Sequence, residues 1–226
     1  TQVKQTQLTE LKDEWKKVTK PLEKAKEKPL RFLRYFLMAN YVIKNDRADN
    51  VVREDEIYDW FVAKDNAALC NYEAKPFEFV RKVIRNVEHY ISFAKGCGND
   101  GQPSLVMDSL KRLTGGAFSL HYVLLLAAAN FPKQLFDHFV VQLESFLFYY
   151  IFTKTPTKDL ERNFSLWADE LRTIAGTTYL SLQKCKLNDF ISNHFEKNMS
   201  AKSQELADAL KRFTFYSMQQ YRTKYL

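Results

Sequence analysis

The chain is organised around the segment KQLFDHFVVQLESFLFYYIF, residues 133–152. Its apolar residues recur at three- and four-residue spacing and cover more than half of a helical wheel, which predicts an α-helix with neighbours on most sides. A narrow polar seam remains, formed by His138, Gln142, Ser145 and Tyr149. Burying each of its large side chains contributes roughly 1.5–3 kcal/mol, so we expect this helix to be the hub of a helical domain.

An apolar run, residues 117–129, precedes the hub helix, and Asn130-Phe131-Pro132 separates the two. We expect the run to form a second helix that folds back on the hub helix, so that residues 117–152 make an antiparallel hairpin. A membrane span needs about 20 apolar residues, and neither this run nor any other in the sequence is long enough. The sequence therefore predicts no membrane partner.

The rest of the chain favours an all-α fold, an irregular bundle of about nine or ten helices. Gly and Pro number six each, too few for the turns of an all-β sandwich, whereas 46% hydrophobic residues are ample for a core. We predict a single helical domain over residues 1–226. The glycine-rich loop GCGNDGQP at 96–103 is the one place to divide it, into subdomains 1–95 and 104–226.

Charge and cysteine content limit the class of protein. The formal net charge is +7, which permits an anionic partner without requiring one. Cys70, Cys97 and Cys185 are an odd number at wide spacing, which fits neither a disulfide framework nor a four-ligand zinc site. A reducing, cytoplasmic setting is the expectation. Because the chain begins inside a polar helical pattern, we expect either a complete protein or a piece of a longer one.

No cofactor or metal site is predicted. Residues 96–101 match the letters of the dinucleotide fingerprint G-x-G-x-x-G, but that fingerprint works between a strand and a helix, whereas here a helix precedes it and Gln102-Pro103 follows. The loop interpretation is therefore preferred. The four histidines are isolated from one another in the sequence and lack the spacing of metal ligands. They are His89, His121, His138 and His194.

An enzyme hypothesis remains open beside these. His121 and His138 lie on the two arms of the predicted hairpin and would approach each other or Glu144, forming a reaction centre from separate helices. The alternative is a pair of hydrogen-bonded interior imidazoles. The sequence names no catalytic residue, and an enzymatic role for the chain stays uncertain.

Two basic features indicate contact with nucleic acid. Arg81, Lys82 and Arg85 share one helix face, and Arg31 and Arg34 would lie beside them if the two helices pack together. Such a patch would neutralise phosphates. The alternative interpretation is a solvated face whose cations pair with Asp or Glu.

The second feature is the C-terminal segment KRFTFYSMQQYRTKYL, residues 211–226, which has four basic residues and no acid among its aromatics. Aromatic and basic side chains together stack on nucleobases, although aromatics at helical spacing also form a core or a domain interface.

Residues 6–27 form another one-sided pattern, with an apolar stripe in a charged helix. Either segment would serve a protein-interaction module.

A family resemblance follows from five short motifs. LRFLRYFL at 30–37 and EIYDWF at 56–61 resemble the F-L-R-x-[YF]-[WL] segment and the helix after it in the helical middle of the GmrSD-like modification-dependent endonucleases. LESFL at 143–147 and TPTKDLERNF at 155–164 are similar to that family's hub helix and the helix that follows. RFTFY at 212–216 is similar to its terminal helix, so the resemblance touches most of the chain.

The resemblance implies a helical domain without the catalytic ends of such a protein. Members combine a ParB/sulfiredoxin-like nuclease domain, a helical region and often an HNH-type domain, and they act in bacterial antiphage defence. Asp100-Gly101-Gln102 matches three letters of the nuclease element D-G-x-Q-R, but Pro103 follows and no Arg is near, so the catalytic role is not transferred. The expected function is to orient nuclease domains, to form a homodimer or to assist DNA sensing. The alternative is a stand-alone helical protein-interaction module.

Overall fold

The computed structural model describes residues 2–44, 51–116 and 118–212 of the chain. Within these residues the structure is helical, and its only strand-like feature is an isolated antiparallel bridge between Cys97 and Pro103. The predicted all-α, multi-helix fold is confirmed.

The helices vary from five to 23 residues in length. Helix α10 continues through a π-helical turn, Ile191–Glu196, into α11, and a short 3₁₀ turn, Glu54–Glu56, precedes α3. In chain order the helices are α1 (Gln2–Lys24), α2 (Pro29–Asn40), α3 (Ile57–Val62), α4 (Lys64–Cys70), α5 (Pro76–Ala94), α6 (Leu105–Thr114), α7 (Tyr122–Ala127), α8 (Lys133–Phe152), α9 (Thr157–Ala175), α10 (Leu180–Phe190), α11 (Lys197–Ala201) and α12 (Ser203–Lys211).

Helix α8 is the predicted hub, with the predicted bounds and a buried apolar surface on most of its circumference. Phe146, at its centre, is fully buried and stacks on Phe195 with 4.7 Å between ring centroids. Trp167 of α9 meets the same ring edge-on at 5.6 Å. These aromatic contacts tie α8 to α9 and to the π-helical turn, because aromatic rings contribute beyond the area they bury.

The apolar run before the hub helix has a different place from the predicted one. Only residues 122–127 of the run are helical, as α7, and this helix packs against α2, α5 and α9, whereas α8 packs against α6. Residues 123–129 are all buried, so α7 needs neighbours on every side. The structure therefore does not pair α7 with α8 as the predicted antiparallel hairpin. Residue 117, at the start of that run, lies outside the described residues.

Helices α1 and α5 pack against each other. Val18 and Leu22, in the C-terminal half of the apolar stripe of α1, are buried. Trp15, one turn before Val18, stays partly exposed. On the opposite side of α5, Phe93 stacks on Phe136 of α8 with ring centroids 5.3 Å apart. Helix α5 therefore joins the hub to the surface helix α1.

The loop at 96–103 is a folded connection. The side-chain amide of Asn99 donates hydrogen bonds to the carbonyl oxygens of Ala129 and Phe131, at 3.1 and 2.7 Å. Gly96 has φ of +83°, a left-handed conformation that suits glycine after the end of α5. The predicted loop is thus partly buried and holds the connection between α7 and α8.

The buried core contains residues from both sides of that loop, from Val18 to Leu206. Helix α2 lies before the loop and packs against α7 and α9, which lie after it. The division of the chain into 1–95 and 104–226 stays a prediction.

Candidate anion-binding cleft

Three cations of α5 lie on the side of that helix that faces away from the core. Because 3.6 residues make one turn, Arg81, Lys82 and Arg85 fall within one half of the helix surface, opposite the buried Val83 and Val87. Arg81 and Arg85 are exposed and Lys82 is half-buried. The predicted shared face of these three residues is present.

These cations border a cleft of about 880 Å³ between α1, α4 and α5. Five cationic and three acidic side chains line it, so its net charge is positive. The charged lining residues are Glu14, Lys17, Lys75, Glu78, Arg81, Lys82, Arg85 and Glu88.

Ion pairing divides the cations of the cleft into two groups. Lys17 pairs with Glu14 at 2.5 Å, and Lys75 pairs with Glu78 at 3.1 Å, each within one helical turn. Arg81, Lys82 and Arg85 form no ion pair with any residue that the structure describes. Their charges are therefore available to an anion, since no carboxylate of the described residues lies within ion-pairing distance of them.

Lys82 sits in an environment that three other elements supply. Its Nζ lies 4.1 Å from the centroid of the Tyr41 ring, which is a cation–π contact. Tyr41 is the residue that follows α2. Burial, reinforced by the nearby charge of Arg172, lowers the pKa of Lys82 to about 8. The amine therefore still carries its charge at neutral pH and loses it in mildly alkaline solution.

Arg172 and Cys70 complete this environment. The Arg172 guanidinium donates hydrogen bonds to the carbonyl oxygen of Ala39 at 2.6 Å and to Asp169 at 2.5 Å, which fix it against the end of α2. Burial raises the pKa of the Cys70 thiol to about 11, so the thiol is protonated and unreactive at neutral pH. The cleft thus offers cations for binding and no activated cysteine.

Arg31 and Arg34 are separated from the α5 cations. They line a different hollow, of about 340 Å³, in which Arg31 Nε lies 3.8 Å from Glu54 and Arg34 Nη2 lies 3.1 Å from Glu161. Arg34 Nε also donates to the carbonyl oxygen of Val52 at 2.8 Å. The predicted patch of five residues is therefore two sites. Arg31 and Arg34 follow the alternative interpretation, cations paired with carboxylates.

The residues of the enzyme hypothesis have unlike environments. His121 is buried, with its ring 4.4 Å from that of Tyr122, and this burial lowers the pKa of His121 to about 3. His138 is exposed, and Glu144 accepts a hydrogen bond from the Ser109 hydroxyl at 2.5 Å. A reaction centre that uses both histidines requires solvent to reach both of them, and it does not reach the buried His121.

Two other kinds of site are absent from the described residues. These residues contain no group of three or more His, Cys, Asp or Glu side chains placed to hold a metal ion. In the same part of the chain, no helix combines the length and apolar character of a membrane span. The aromatic residues of the C-terminal segment 213–226 lie outside the described residues, so their predicted roles stay predictions.

The sequence did not indicate the partners of Lys82. Arg172 looks like half of a surface ion pair with Asp169 three residues earlier, and neither Tyr41 nor Cys70 belongs to a motif. Only the packing of α2, α4, α5 and α9 brings them together.

Comparisons of the chain with family models, with curated proteins and with solved structures gave no match.

Proposed function

We propose that the chain is a non-catalytic helical domain that binds DNA through the cleft face of α5. The observation that supports this proposal is the group of three cations without carboxylate partners, Arg81, Lys82 and Arg85, beside a cleft of about 880 Å³. Cations on one face release the counterions of a phosphate backbone, which favours binding to polyanions irrespective of base sequence.

The resemblance to GmrSD-like endonucleases supports DNA as the polyanion. In a protein of that kind, this domain holds DNA while separate nuclease domains cut it. The domain does so either by orienting the nuclease domains or by pairing two copies of the protein. Arg31 and Arg34 contribute little to this binding, because Glu161 pairs with Arg34 and Glu54 lies within 4 Å of Arg31.

The test is the affinity of the chain for a fluorescently labelled DNA duplex, measured by anisotropy. Arg81→Gln with Arg85→Gln is expected to weaken binding about tenfold at about 0.1 M salt, because two phosphate contacts are lost. The matched control is Arg112→Gln with Lys133→Gln, which removes the same charge from exposed cations that pair with Asp108 and Asp137.

The control variant is expected to bind DNA within about twofold of the wild type, since its cations already have carboxylate partners. Equal weakening in both variants would mean that net charge alone attracts DNA. Unchanged binding in the α5 variant would place the DNA contact elsewhere, and either result contradicts the proposal.

A further inference from the structure

A second hollow, here called the apolar groove, lies on the other side of α5. It has a volume of about 740 Å³, and side chains from α1, α2, α3 and α5 line it. Leu11 and Trp15 form its α1 wall, Leu30 its α2 wall and Tyr58 its α3 wall. Its lining is almost wholly apolar.

The groove leaves large apolar side chains in contact with solvent. Trp15 is 36% exposed, Leu30 is 51% exposed and Tyr58 is 74% exposed. Leu8 precedes Leu11 by about one turn on α1 and is also exposed, which extends the apolar surface along that helix. Contiguous exposed apolar surface with a polar rim marks an interaction site in soluble proteins.

The charge of the rim identifies the kind of partner. Among the described residues that line the groove, the charged ones are Glu54 and Asp55, both acidic, in a chain whose net charge is +7. Glu54 lies within 4 Å of Arg31, whereas Asp55 is exposed and forms no ion pair with a described residue. An acidic rim repels phosphate, so DNA and anionic lipid do not fit the groove, whereas a cationic partner does.

We propose that the apolar groove binds a cationic amphipathic α-helix of a partner protein. The apolar face of such a helix would fill a groove walled by helices, with anchors spaced three and four residues apart, and its Lys or Arg residues would face the acidic rim at Asp55. A second copy of this chain fits less well. In a two-fold dimer the same surface forms both sides of the interface, so both acidic rims lie within it and the described groove lining supplies no cation to pair with them.

The probe is a synthetic amphipathic helix of Leu and Lys, roughly five turns or about 18 residues long, without tryptophan. Trp15 reports on the groove, because Trp60 and Trp167, the other two tryptophans of the chain, are buried. Binding is expected to shift the Trp15 emission to shorter wavelength in a saturable way. A Leu-Glu helix with the same leucine spacing is expected to bind at least about tenfold more weakly.

Substitutions at exposed positions test the location of the site without disturbing the core. Leu30→Ser with Tyr58→Ser is expected to weaken the Leu-Lys helix at least about tenfold, because two apolar anchors are lost. The matched control is Leu105→Ser with Tyr179→Ser, the same residue types at 88% and 73% exposure outside the groove, and it is expected to bind like the wild type.

Charge reversal tests the chemistry of the partner. Asp55→Lys is expected to reduce the preference for the Leu-Lys helix over the Leu-Glu helix by about fivefold or more. The proposal is overturned if the groove and control variants lose affinity equally, or if Asp55→Lys leaves the preference unchanged. It is also overturned if sedimentation shows a dimer that Leu30→Ser with Tyr58→Ser dissolves, since the occupant is then a second copy.

Discussion

The cleft and the apolar groove lie on either side of the same packed pair of helices, yet their chemistry is opposite. Helix α5 turns Arg81 and Arg85 to the cleft and Val80 to the groove, and Phe79 lines both. The cleft is rich in cations, and the charged residues of the groove are acidic. Helical periodicity thus gives one pair of helices two surfaces of unlike charge, a difference that the net charge of the whole chain does not reveal.

The largest expected effect comes from removing the packing that both surfaces share. Leu22 of α1 is fully buried, so Leu22→Ala is expected to lower the free energy of unfolding by about 2–5 kcal/mol, measured by urea denaturation. Because α1 forms a wall of both hollows, binding of DNA and of the Leu-Lys helix should weaken together.

The control for that experiment is Leu8→Ala on the same helix. Leu8 is exposed, so this change is expected to alter the free energy of unfolding by no more than about 0.5 kcal/mol. Similar unfolding curves for the two variants would show that α1 does not pack through Leu22 as described.

An intermediate effect separates the two surfaces. The pair Arg81→Gln with Arg85→Gln should lower DNA affinity about tenfold and leave binding of the Leu-Lys helix unchanged. The pair Leu30→Ser with Tyr58→Ser should do the reverse, because apolar contacts carry little salt-dependent attraction. Titrating each ligand into both variants gives four affinities. Loss of both ligands in either variant would indicate a single shared surface.

The smallest expected effect is a pH dependence that belongs to the cleft alone. The pKa of Lys82 is lowered to about 8 by burial, so its charge is lost as pH rises from 7 to 9. DNA affinity should therefore fall about two- to threefold over that range at constant ionic strength. Lys82→Arg keeps the charge and should abolish the fall. The same fall in Lys82→Arg would assign it to another group.

One-sided patterns in the sequence predicted the helices that matter most. The spacing of apolar residues gave the bounds of α8, and the alternation of apolar and basic residues along α5 placed Arg81, Lys82 and Arg85 on one face. Both predictions depend only on the period of an α-helix. In a regular helix, the spacing of residues alone determines which side chains share a face, so no contact with distant residues is needed for the prediction.

Tertiary partners account for what sequence patterns missed. Helix α7 is apolar on all sides, so its sequence contains no preferred face from which to infer that α2, α5 and α9 surround it. Arg34, like Arg81 and Arg85, is a basic residue within an apolar helical pattern, yet Glu161 of α9 forms an ion pair with Arg34. Contacts between residues so far apart in the chain follow from packing, which composition and spacing do not encode locally.

The salt dependence of DNA binding reports on the phosphate contacts that we propose for the cleft. Anisotropy titrations from about 50 to about 200 mM KCl give the slope of log K against log salt, which counts the phosphates that the protein neutralises at about 0.9 each. We predict that Arg81→Gln with Arg85→Gln makes this slope shallower by about 2, whereas Arg112→Gln with Lys133→Gln leaves it unchanged. Equal slopes for the wild type and both variants would contradict a cleft that binds DNA through the unpaired cations of α5.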